Sequence, residues 1–280
     1  LLEKEELNPL ETSSYGLGEL ILEAIDKNCT KIIITASESI TCDGGSGMLK
    51  ALGAIFTDSY VKELPDGGGY LNNLMGIDLT QIDMRLDNVF FVLASDKNQP
   101  LCGIDGACKD LDHEKGATDE DKRILDNNLS HFANITRVCT EKDYRCHSKA
   151  GVAGGIGFAL MSFLKANVIS EFDLIVKLSN LEEHIKTCEL VITTEGRMDR
   201  ETLKGNATFK IAQLAKESNI PIIALAGSIE EDLDIERYGF TSAFSFSDST
   251  MSLEESIENA YDLLEDIASK VAMTLKINDR

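Results

Sequence analysis

Four short apolar runs, rich in β-branched residues and separated by helical patterns, constrain the fold of this chain most. The runs are KIIIT at 31–35, VFFVLA at 89–94, LVIT at 190–193 and IIALA at 222–226. Their interiors do not alternate apolar with polar residues, which is typical of strands buried on both faces of a parallel sheet. Between the runs, residues such as Leu17, Leu20 and Ile21 recur at helical spacing. The sequence therefore predicts an α/β fold in which helices cover parallel strands.

The order of these elements predicts two lobes. A chain of 280 residues with 43% hydrophobic content can bury one large core or two modest ones. From Leu190 onward the order β, α, β, β, α indicates a doubly wound parallel sheet. The preceding part has longer loops and more glycine, so we expect a separate α/β lobe there, with the boundary within 172–179.

Hydroxyl and acidic residues predict where several helices begin. They are the cluster at 12–14, Thr118 with its acidic first turn, and the capping boxes Ser179 with Glu182 and Ser252 with Glu255. The last of these is expected to start one final helix, with Ile257 and Val271 facing inward. The chain begins at Leu1 rather than Met and shows no recognisable domain start, so we expect a further segment upstream.

The acidic composition limits the partners of this chain. Its 48 acidic and 27 basic residues give a net charge of −21, which repels nucleic acid and anionic membrane surfaces. No apolar run approaches the ~18 residues that span a bilayer. We therefore expect a soluble, cytoplasmic protein without nucleic-acid or membrane partners. A small anion remains a compatible ligand because local cations act over a few ångströms, and a homo-oligomer is left open.

The cysteines predict reduced thiols rather than a disulfide framework. The seven cysteines are odd in number and scattered, and they contain no CxxC pair. Cys139, Cys146 and His147 lie close together in sequence, but their spacing fits no zinc pattern. No metal site is assigned to them.

The first candidate ligand turn follows the run at 31–35. It contains Ser39, Thr41, Asp43, Gly44 and Gly45. Hydroxyl groups, a carboxylate and paired glycines that admit close backbone approach would suit a phosphate or carboxylate ligand. The alternative is an ordinary Asp-Gly-Gly turn with no ligand.

Two further candidate turns follow other apolar runs. Asp96 comes directly after the run at 89–94, where a carboxylate could take a proton from a hydroxyl group or hold Mg²⁺. Glu195, Arg197 and Asp199 follow the run at 190–193, and the arginine fork suits a carboxylate or phosphate. The alternatives are a solvated turn around Asp96 and an internal ion pair of Arg197 with either acid.

These turns belong to a series of motifs that matches a known family in order and spacing. The motifs are NPLETSSYGLGELI at 8–21, SESITCDGGSGML at 37–49, DKNQPLCGIDGA at 96–107, KGAT at 115–118, AGVAGGIGFAL at 150–160, VITTEGRMDRETLKG at 191–205 and PIIALAGS at 221–228. The chain resembles the bacterial glycerate kinase family over essentially all of its 280 residues.

The resemblance implies a fold and an activity. Residues 179–280 would form the C-terminal portion of a Rossmann-like lobe whose first strand comes from upstream, and residues 1–178 would form a second, inserted α/β lobe. The activity would be the ATP- and Mg²⁺-dependent phosphorylation of D-glycerate to a phosphoglycerate, an organic acid phosphorylation by a transferase. Such chemistry depends on positioning and charge neutralisation.

The resemblance also implies roles for the candidate residues. Asp96, Arg197 and Asp199 would be catalytic, with Asp96 as base or Mg²⁺ ligand and Arg197 on a carboxylate or phosphate. Glu195 would bind substrate or Mg²⁺. The residues of the first turn, Ser39, Thr41, Asp43, Gly44 and Gly45, would bind substrate or phosphate.

Several positions depart from the family pattern. The family usually has glycine where this chain has Glu38, asparagine at Cys42, aspartate at Asn98, glycine at Thr194 and lysine at Asn206. Glu38 in place of glycine and Asn206 in place of lysine make the region expected to bind phosphate more negative. They leave open an alternative, a truncated or catalytically inactive relative that retains the fold and binds a ligand or partner. A kinase for another small hydroxy acid is a third alternative.

Overall fold

The chain folds into two compact units, Leu1–Glu171 and Phe172–Arg280. This computed structural model describes residues 7–36, 39–111, 116–200, 206–247 and 251–278. No described helix is long and apolar enough to cross a membrane.

The first unit is built around a three-stranded parallel sheet. Its elements are α1 (Tyr15–Asp26), β1 (Lys31–Thr35), α2 (Ser46–Ala51), β2 (Ile55–Thr57), β3 (Gly76–Asp78), β4 (Phe90–Ala94), α3 (Asp119–Thr140), α4 (Val152–Phe163) and β5 (Asn167–Ile169). The sheet has the order β1-β4-β5, with Ile33 paired to Val92 and Leu93 paired to Val168. β2 and β3 form a separate antiparallel pair.

Aromatic side chains fill the centre of the first unit. Phe132 of α3 lies 5.8 Å from Phe56 and 5.5 Å from Phe158 of α4, measured between ring centroids. All three are fully buried. Phe132 follows the acidic first turn of α3, where Thr118 forms the expected cap with Asp121. Leu125, Leu129 and Phe132 recur at helical spacing and are all buried, so they form the buried face of α3.

The second unit is a doubly wound parallel sheet. Its elements are α5 (Glu171–Ser179), which begins at the last residue of the first unit, then α6 (Leu181–Lys186), β6 (Val191–Met198), α7 (Ala207–Glu217), β7 (Ile222–Ile229), β8 (Ser242–Ser245), α8 (Leu253–Glu258) and α9 (Ala260–Asn278). The strand order is β6-β7-β8, and both pairings are parallel. The α/β fold class with parallel sheets is therefore confirmed.

The central strand β7 has helices on both of its faces. Ile222 and Ala224 pack in one apolar cluster with Ala212 of α7. Ile223 packs in another cluster with Val271 of α9. Successive strand residues point to opposite faces, so a strand with apolar residues at every position needs two covering layers.

Several local expectations were wrong. Ser14 precedes α1 without a capping bond from its side chain. Ser179 ends α5 instead of starting a helix, and its Oγ donates to the carbonyl oxygen of Ile175. The final helix is two helices, and Ile257 is 67% exposed, whereas Ser252 forms its predicted capping box.

β1 is less buried than its composition predicts. It is the edge strand of the described sheet, and its residues alternate between exposed and half-buried. Ile33 is 36% exposed. An edge strand has fewer neighbours to cover it than a central strand such as β4, so three successive isoleucines do not by themselves indicate burial on both faces.

Candidate functional site

The carboxyl ends of β1 and β4 bring two of the predicted turns to one edge of the sheet. β1 and β4 are adjacent and parallel, with Thr35 paired to Ala94. The turn at 39–47 follows β1, and the loop at 95–111 follows β4. In open α/β sheets, ligands bind beyond the carboxyl ends of the strands. Both turns therefore lie at the edge where a ligand is expected.

Asp43 is fully buried and holds the first turn together. Its Oδ2 accepts hydrogen bonds from the backbone N–H and Oγ of Ser14, both at 2.8 Å, and from the N–H of Gly47 at 3.1 Å. Its Oδ1 accepts from the N–H of Gly45 at 2.9 Å. Burial raises the pKa of Asp43 above its ordinary 3.8, although these hydrogen bonds oppose the rise. The geometry supports a positioning role for this carboxylate.

The hydroxyl groups of Ser39 and Thr41 form the outer part of the same turn. Their oxygen atoms lie 2.6 Å apart, and Ser39 Oγ also accepts from the N–H of Thr41 at 3.0 Å. Both residues are half-buried. Hydroxyl groups can donate and accept at once, so this pair retains hydrogen-bonding capacity for a ligand. Ser37 and Glu38, which begin the motif, lie outside the described residues.

The backbone amides of Gly44 and Gly45 donate within the protein. The N–H of Gly44 donates to the carbonyl oxygen of Gly154 at 3.0 Å, and that of Gly45 donates to Asp43. These two amides are therefore occupied, and the hydroxyl groups of Ser39 and Thr41 are the part of the turn better placed to meet an anion.

A glycine-rich segment packs its backbone against this turn. Ala153, Gly154 and Gly155 all have positive φ, at 50°, 69° and 94°. A Cβ atom added to Gly154 would overlap the carbonyl oxygen of Thr41. Position 154 thus needs glycine, because the backbone there has a positive φ angle and leaves no room for a side chain.

We expect Gly154→Ala to lower the free energy of unfolding by about 2–4 kcal/mol, because φ strain adds to the overlap with Thr41. Gly103→Ala is the matched control. Gly103 has a φ of +97°, but a Cβ there meets no atom within 4 Å, so this variant carries strain without overlap. Urea denaturation of both variants measures the difference. Equal losses of stability would show that the contact with Thr41 contributes nothing.

Asp96 is exposed and lies just beyond the end of β4. Its Oδ1 accepts a hydrogen bond from Ser170 Oγ at 2.7 Å. Ser170 directly follows β5, which pairs with β4, so the sheet itself positions the donor beside the acid. An exposed carboxylate that is held in one orientation suits either proton transfer or metal binding.

A polar network anchors the loop that follows β4. Lys97 Nζ pairs with Asp110 Oδ2 at 2.9 Å, and Gln99 Nε2 donates to the same oxygen at 3.2 Å. Lys149 donates to Asn98 Oδ1 at 3.0 Å and to the carbonyl oxygen of Lys97. The sequence pattern does not indicate a role for Lys149, because its partner Asn98 lies 51 residues away and no motif joins them.

In the second unit, β6 extends beyond its predicted end. The prediction that this strand ends at Thr193 was wrong, because β6 pairs with β7 through Glu195 and Arg197 as well. A Cβ atom on Gly227 would come within 2.5 Å of the carbonyl oxygen of Gly196, so the glycine allows the two backbones to approach closely. Glu195 and Arg197 therefore lie on a strand, two residues apart, and not in a loop.

Glu195 is fixed by the start of α7. Its Oε2 accepts hydrogen bonds from Asn206 Nδ2 at 2.9 Å and from Thr208 Oγ1 at 3.0 Å, and its Oε1 accepts from the N–H of Gly196 at 3.1 Å. Asn206 Oδ1 caps α7 by accepting from the N–H of Phe209 at 3.0 Å. Glu195 is consequently held in one orientation at the amino end of a helix, where the helix dipole favours a negative charge.

Arg197 and Asp199 form an ion pair in the same unit. Arg197 Nε lies 3.1 Å from Asp199 Oδ2, and the arginine side chain remains 69% exposed. The internal pair anticipated as an alternative therefore forms with Asp199. Arg200 pairs separately with Glu230, whose Oε2 accepts its backbone N–H at 2.9 Å. Residues 201–205, the end of this motif, lie outside the described part of the chain.

No metal centre is preformed in the described part of the chain. Across these residues, no three His, Cys, Asp or Glu side chains form a group that could hold a metal ion. Mg²⁺ does not require such a group of protein ligands. It usually binds one or two carboxylates and completes its coordination shell with phosphate oxygens and water. Asp96 and Glu195 each offer a carboxylate of that kind.

Comparison with known proteins places the chain in a family. Residues 1–276 match the glycerate kinase family. The chain belongs to this family. It is 40% identical to glycerate 2-kinase of Escherichia coli K12 over 281 aligned positions, covering 100% of this chain and 74% of that relative. It is 37% identical to glycerate kinase of Halalkalibacterium halodurans, covering 99% of this chain and 73% of the relative.

A solved structure agrees with this glycerate kinase family assignment. The crystal structure assigned to glycerate kinase 2 of Salmonella typhimurium LT2 superposes with a TM-score of 0.82 at 34% identity. The match covers 99% of this chain and 73% of the Salmonella chain. The resemblance stated from the motifs is confirmed.

Departures from the glycerate kinase pattern make local contacts in this structure. Asn206, where the motif resemblance implies a lysine, donates to Glu195. Asn98, where it implies an aspartate, accepts from Lys149. At both positions the neighbouring charged residue has a neutral hydrogen-bonding partner.

Proposed function

We propose that this chain transfers the γ-phosphoryl group of ATP to a hydroxyl group of D-glycerate. The observation that carries the proposal is the match to the glycerate kinase family across residues 1–276, with relatives named glycerate kinase at up to 40% identity. The E. coli relative is named glycerate 2-kinase, which favours the 2-hydroxyl as acceptor.

The acidic groups at the strand ends have distinct proposed roles. Asp96 accepts the proton of the attacking hydroxyl or binds Mg²⁺, and Ser170 orients it through its 2.7 Å hydrogen bond. Glu195, held by Asn206 and Thr208, is the second candidate Mg²⁺ ligand. When bound, Mg²⁺ would neutralise charge on the phosphate oxygens of ATP.

The remaining residues have proposed roles in anion binding. Arg197 presents a largely exposed guanidinium group for a carboxylate or phosphate, and Asp199 fixes its Nε. Ser39 and Thr41 present their hydroxyl groups to the same class of ligand. Asp43, Gly44 and Gly45 give the first turn its shape.

The proposal is tested by incubating the full chain with Mg²⁺-ATP and D-glycerate and identifying the product by ³¹P NMR. We expect 2-phosphoglycerate. A folded chain that transfers no phosphate to glycerate would contradict the proposal and favour the inactive relative. Transfer to another hydroxy acid, with glycerate inert, would contradict the substrate.

Arg197→Ala is expected to lower kcat/KM by roughly 10- to 100-fold, the effect of losing one charge-assisted contact with an anionic ligand. Thermal stability should change little because the side chain is 69% exposed. Steady-state kinetics measure the effect. Arg237→Ala, which removes another exposed arginine of the same unit, is the control and should retain full activity. Equal activity of both variants would remove Arg197 from the site.

A further inference from the structure

Two buried thiols touch each other beside the first turn. Cys42 Sγ and Cys108 Sγ lie 2.8 Å apart. The two residues are 0% and 4% exposed, and both are free cysteines. A disulfide bond needs the sulfur atoms at about 2.05 Å, so less than 1 Å of further approach separates this contact from a covalent bond.

The two sulfur atoms have different surroundings. The pKa of Cys42 is raised well above its usual 9.0, first by the hydrogen bond with Cys108 and then by burial. The raised pKa disfavours the thiolate form of Cys42. Attack on a disulfide requires a thiolate, so Cys42 is the weaker candidate for the first attack.

Cys108 is also the thiol with a route to solvent. It borders a surface hollow of about 370 Å³, together with Gly103, Lys109 and Asn127. Cys42 does not line this hollow. A small molecule that enters it meets Cys108 first.

We propose that Cys42 and Cys108 form a reversible disulfide on reaction with a small-molecule disulfide. The Cys108 thiolate, its proton released to water, attacks one sulfur atom of the reagent, forms a mixed disulfide and expels one thiolate. Cys42 then loses its proton to water and attacks Cys108 Sγ, which forms the Cys42–Cys108 bond and expels the second thiolate. The protein gives up two electrons, and the reagent is reduced to two thiols.

The bond would join two loops at the carboxyl edge of the sheet. Cys42 immediately precedes Asp43, the residue that shapes the first turn. Cys108 lies two residues before Asp110, which pairs with Lys97. The oxidised protein should therefore exchange the amide hydrogens of residues 39–47 more slowly than the reduced protein.

The test treats the full chain with oxidised glutathione, alkylates remaining thiols and maps disulfides by mass spectrometry. Trypsin releases Cys42 in one peptide, and further cleavage before Asp105 separates Cys102 from Cys108. We expect a Cys42–Cys108 cross-link that dithiothreitol removes. The proposal would be overturned if Cys42 and Cys108 were both alkylated after oxidation. It would also be overturned if the disulfide involved Cys102 instead of the Cys42–Cys108 pair.

Single variants test the order of attack. Cys42→Ser should trap Cys108 as a mixed disulfide with one glutathionyl group, whereas Cys108→Ser should leave Cys42 reduced. Cys29→Ser removes an exposed cysteine and should form the cross-link as the parent does. A glutathionyl group on Cys42 in the Cys108→Ser protein would overturn the assigned order. If a variant does not fold, the map of the unsubstituted chain still decides whether the bond forms.

Discussion

Asp96→Asn is expected to lower kcat/KM for glycerate phosphorylation by about 10²- to 10⁴-fold, the range found when a general base is lost. The amide keeps the size of the side chain and can still accept from Ser170, which lies 2.7 Å from the carboxylate. It cannot take a proton from a hydroxyl group. Steady-state kinetics at saturating Mg²⁺-ATP, combined with circular dichroism to verify folding, measure the effect.

The control is Asp105→Asn, which changes an exposed acid of the same loop that pairs with Lys109. It should retain activity within about twofold, since exposed ion pairs contribute little. The two proposed roles of Asp96 are separated by titrating Mg²⁺. Recovery of the Asp96→Asn activity at high Mg²⁺ would assign metal binding, and no recovery would assign the base. Unchanged kcat/KM in Asp96→Asn would exclude both roles.

Asp43→Ala is expected to destabilise the first unit by about 2–5 kcal/mol. The substitution leaves four buried hydrogen-bond donors without an acceptor, each at a cost of about 1–3 kcal/mol, and removal of the buried carboxyl group offsets part of this cost. The donors are the N–H and Oγ of Ser14 and the N–H groups of Gly45 and Gly47. Native-state hydrogen exchange of β4, which follows opening of this unit, is the measurement.

The pH dependence of this loss has a defined sign. The folded pKa of Asp43 lies above its ordinary 3.8, so the folded state holds the proton more tightly than the unfolded state. The carboxyl contribution to stability is therefore complete below pH 3.8 and is lost as pH rises through the raised pKa. Asp43→Ala should lower the free energy of unfolding more at acid pH than at pH 7.

The control Glu23→Ala changes an exposed acid and should lower the free energy of unfolding by under ~1 kcal/mol. If Asp43→Ala lost less stability at acid pH than at pH 7, burial would not be the dominant influence on the pKa of Asp43.

Much of the fold follows from local patterns in the sequence. Apolar runs locate the central strands β4 and β7, because a strand covered on both faces has few polar positions. The capping boxes at Thr118 and Ser252 correctly mark helix starts, since both partners of the bond lie within four residues. Ser179 has the same spacing with Glu182 but ends a helix. The motif alone therefore does not show whether a helix begins or ends at that residue.

The failures arise where distant residues decide the outcome. β6 continues to Met198 because β7 offers a partner strand, and close approach at Gly227 permits it. The hydroxyl group of Ser14 binds a carboxylate 29 residues away instead of capping its own helix. Tertiary contacts of this kind leave no periodic signal in the sequence.

The sequence predicts part of the local geometry of the candidate residues. The position of Asp96 directly after β4 follows from the order of strand and turn residues, whereas the predicted loop position of Arg197 was wrong because this residue lies on β6. The sequence does not predict the hydrogen bond from the Gly44 amide to Gly154 or the one from Lys149 to Asn98. Each of these bonds joins residues more than 50 positions apart. A glycine-rich motif predicts close approach, and it does not reveal whether a ligand or the protein itself approaches.

The segment at 153–155 has a consequence for how this turn can vary between relatives. Besides the Asp43 side chain, main-chain atoms hold the path of the turn, through the bond from Gly44 to Gly154 and the tight fit of Gly154 against Thr41. Side chains that take no part in these contacts or in the hydrogen bonds of Asp43 can therefore be exchanged during evolution without altering the trace of the loop. New specificities or new oxidation chemistry could thus accumulate on a backbone whose geometry is inherited unchanged.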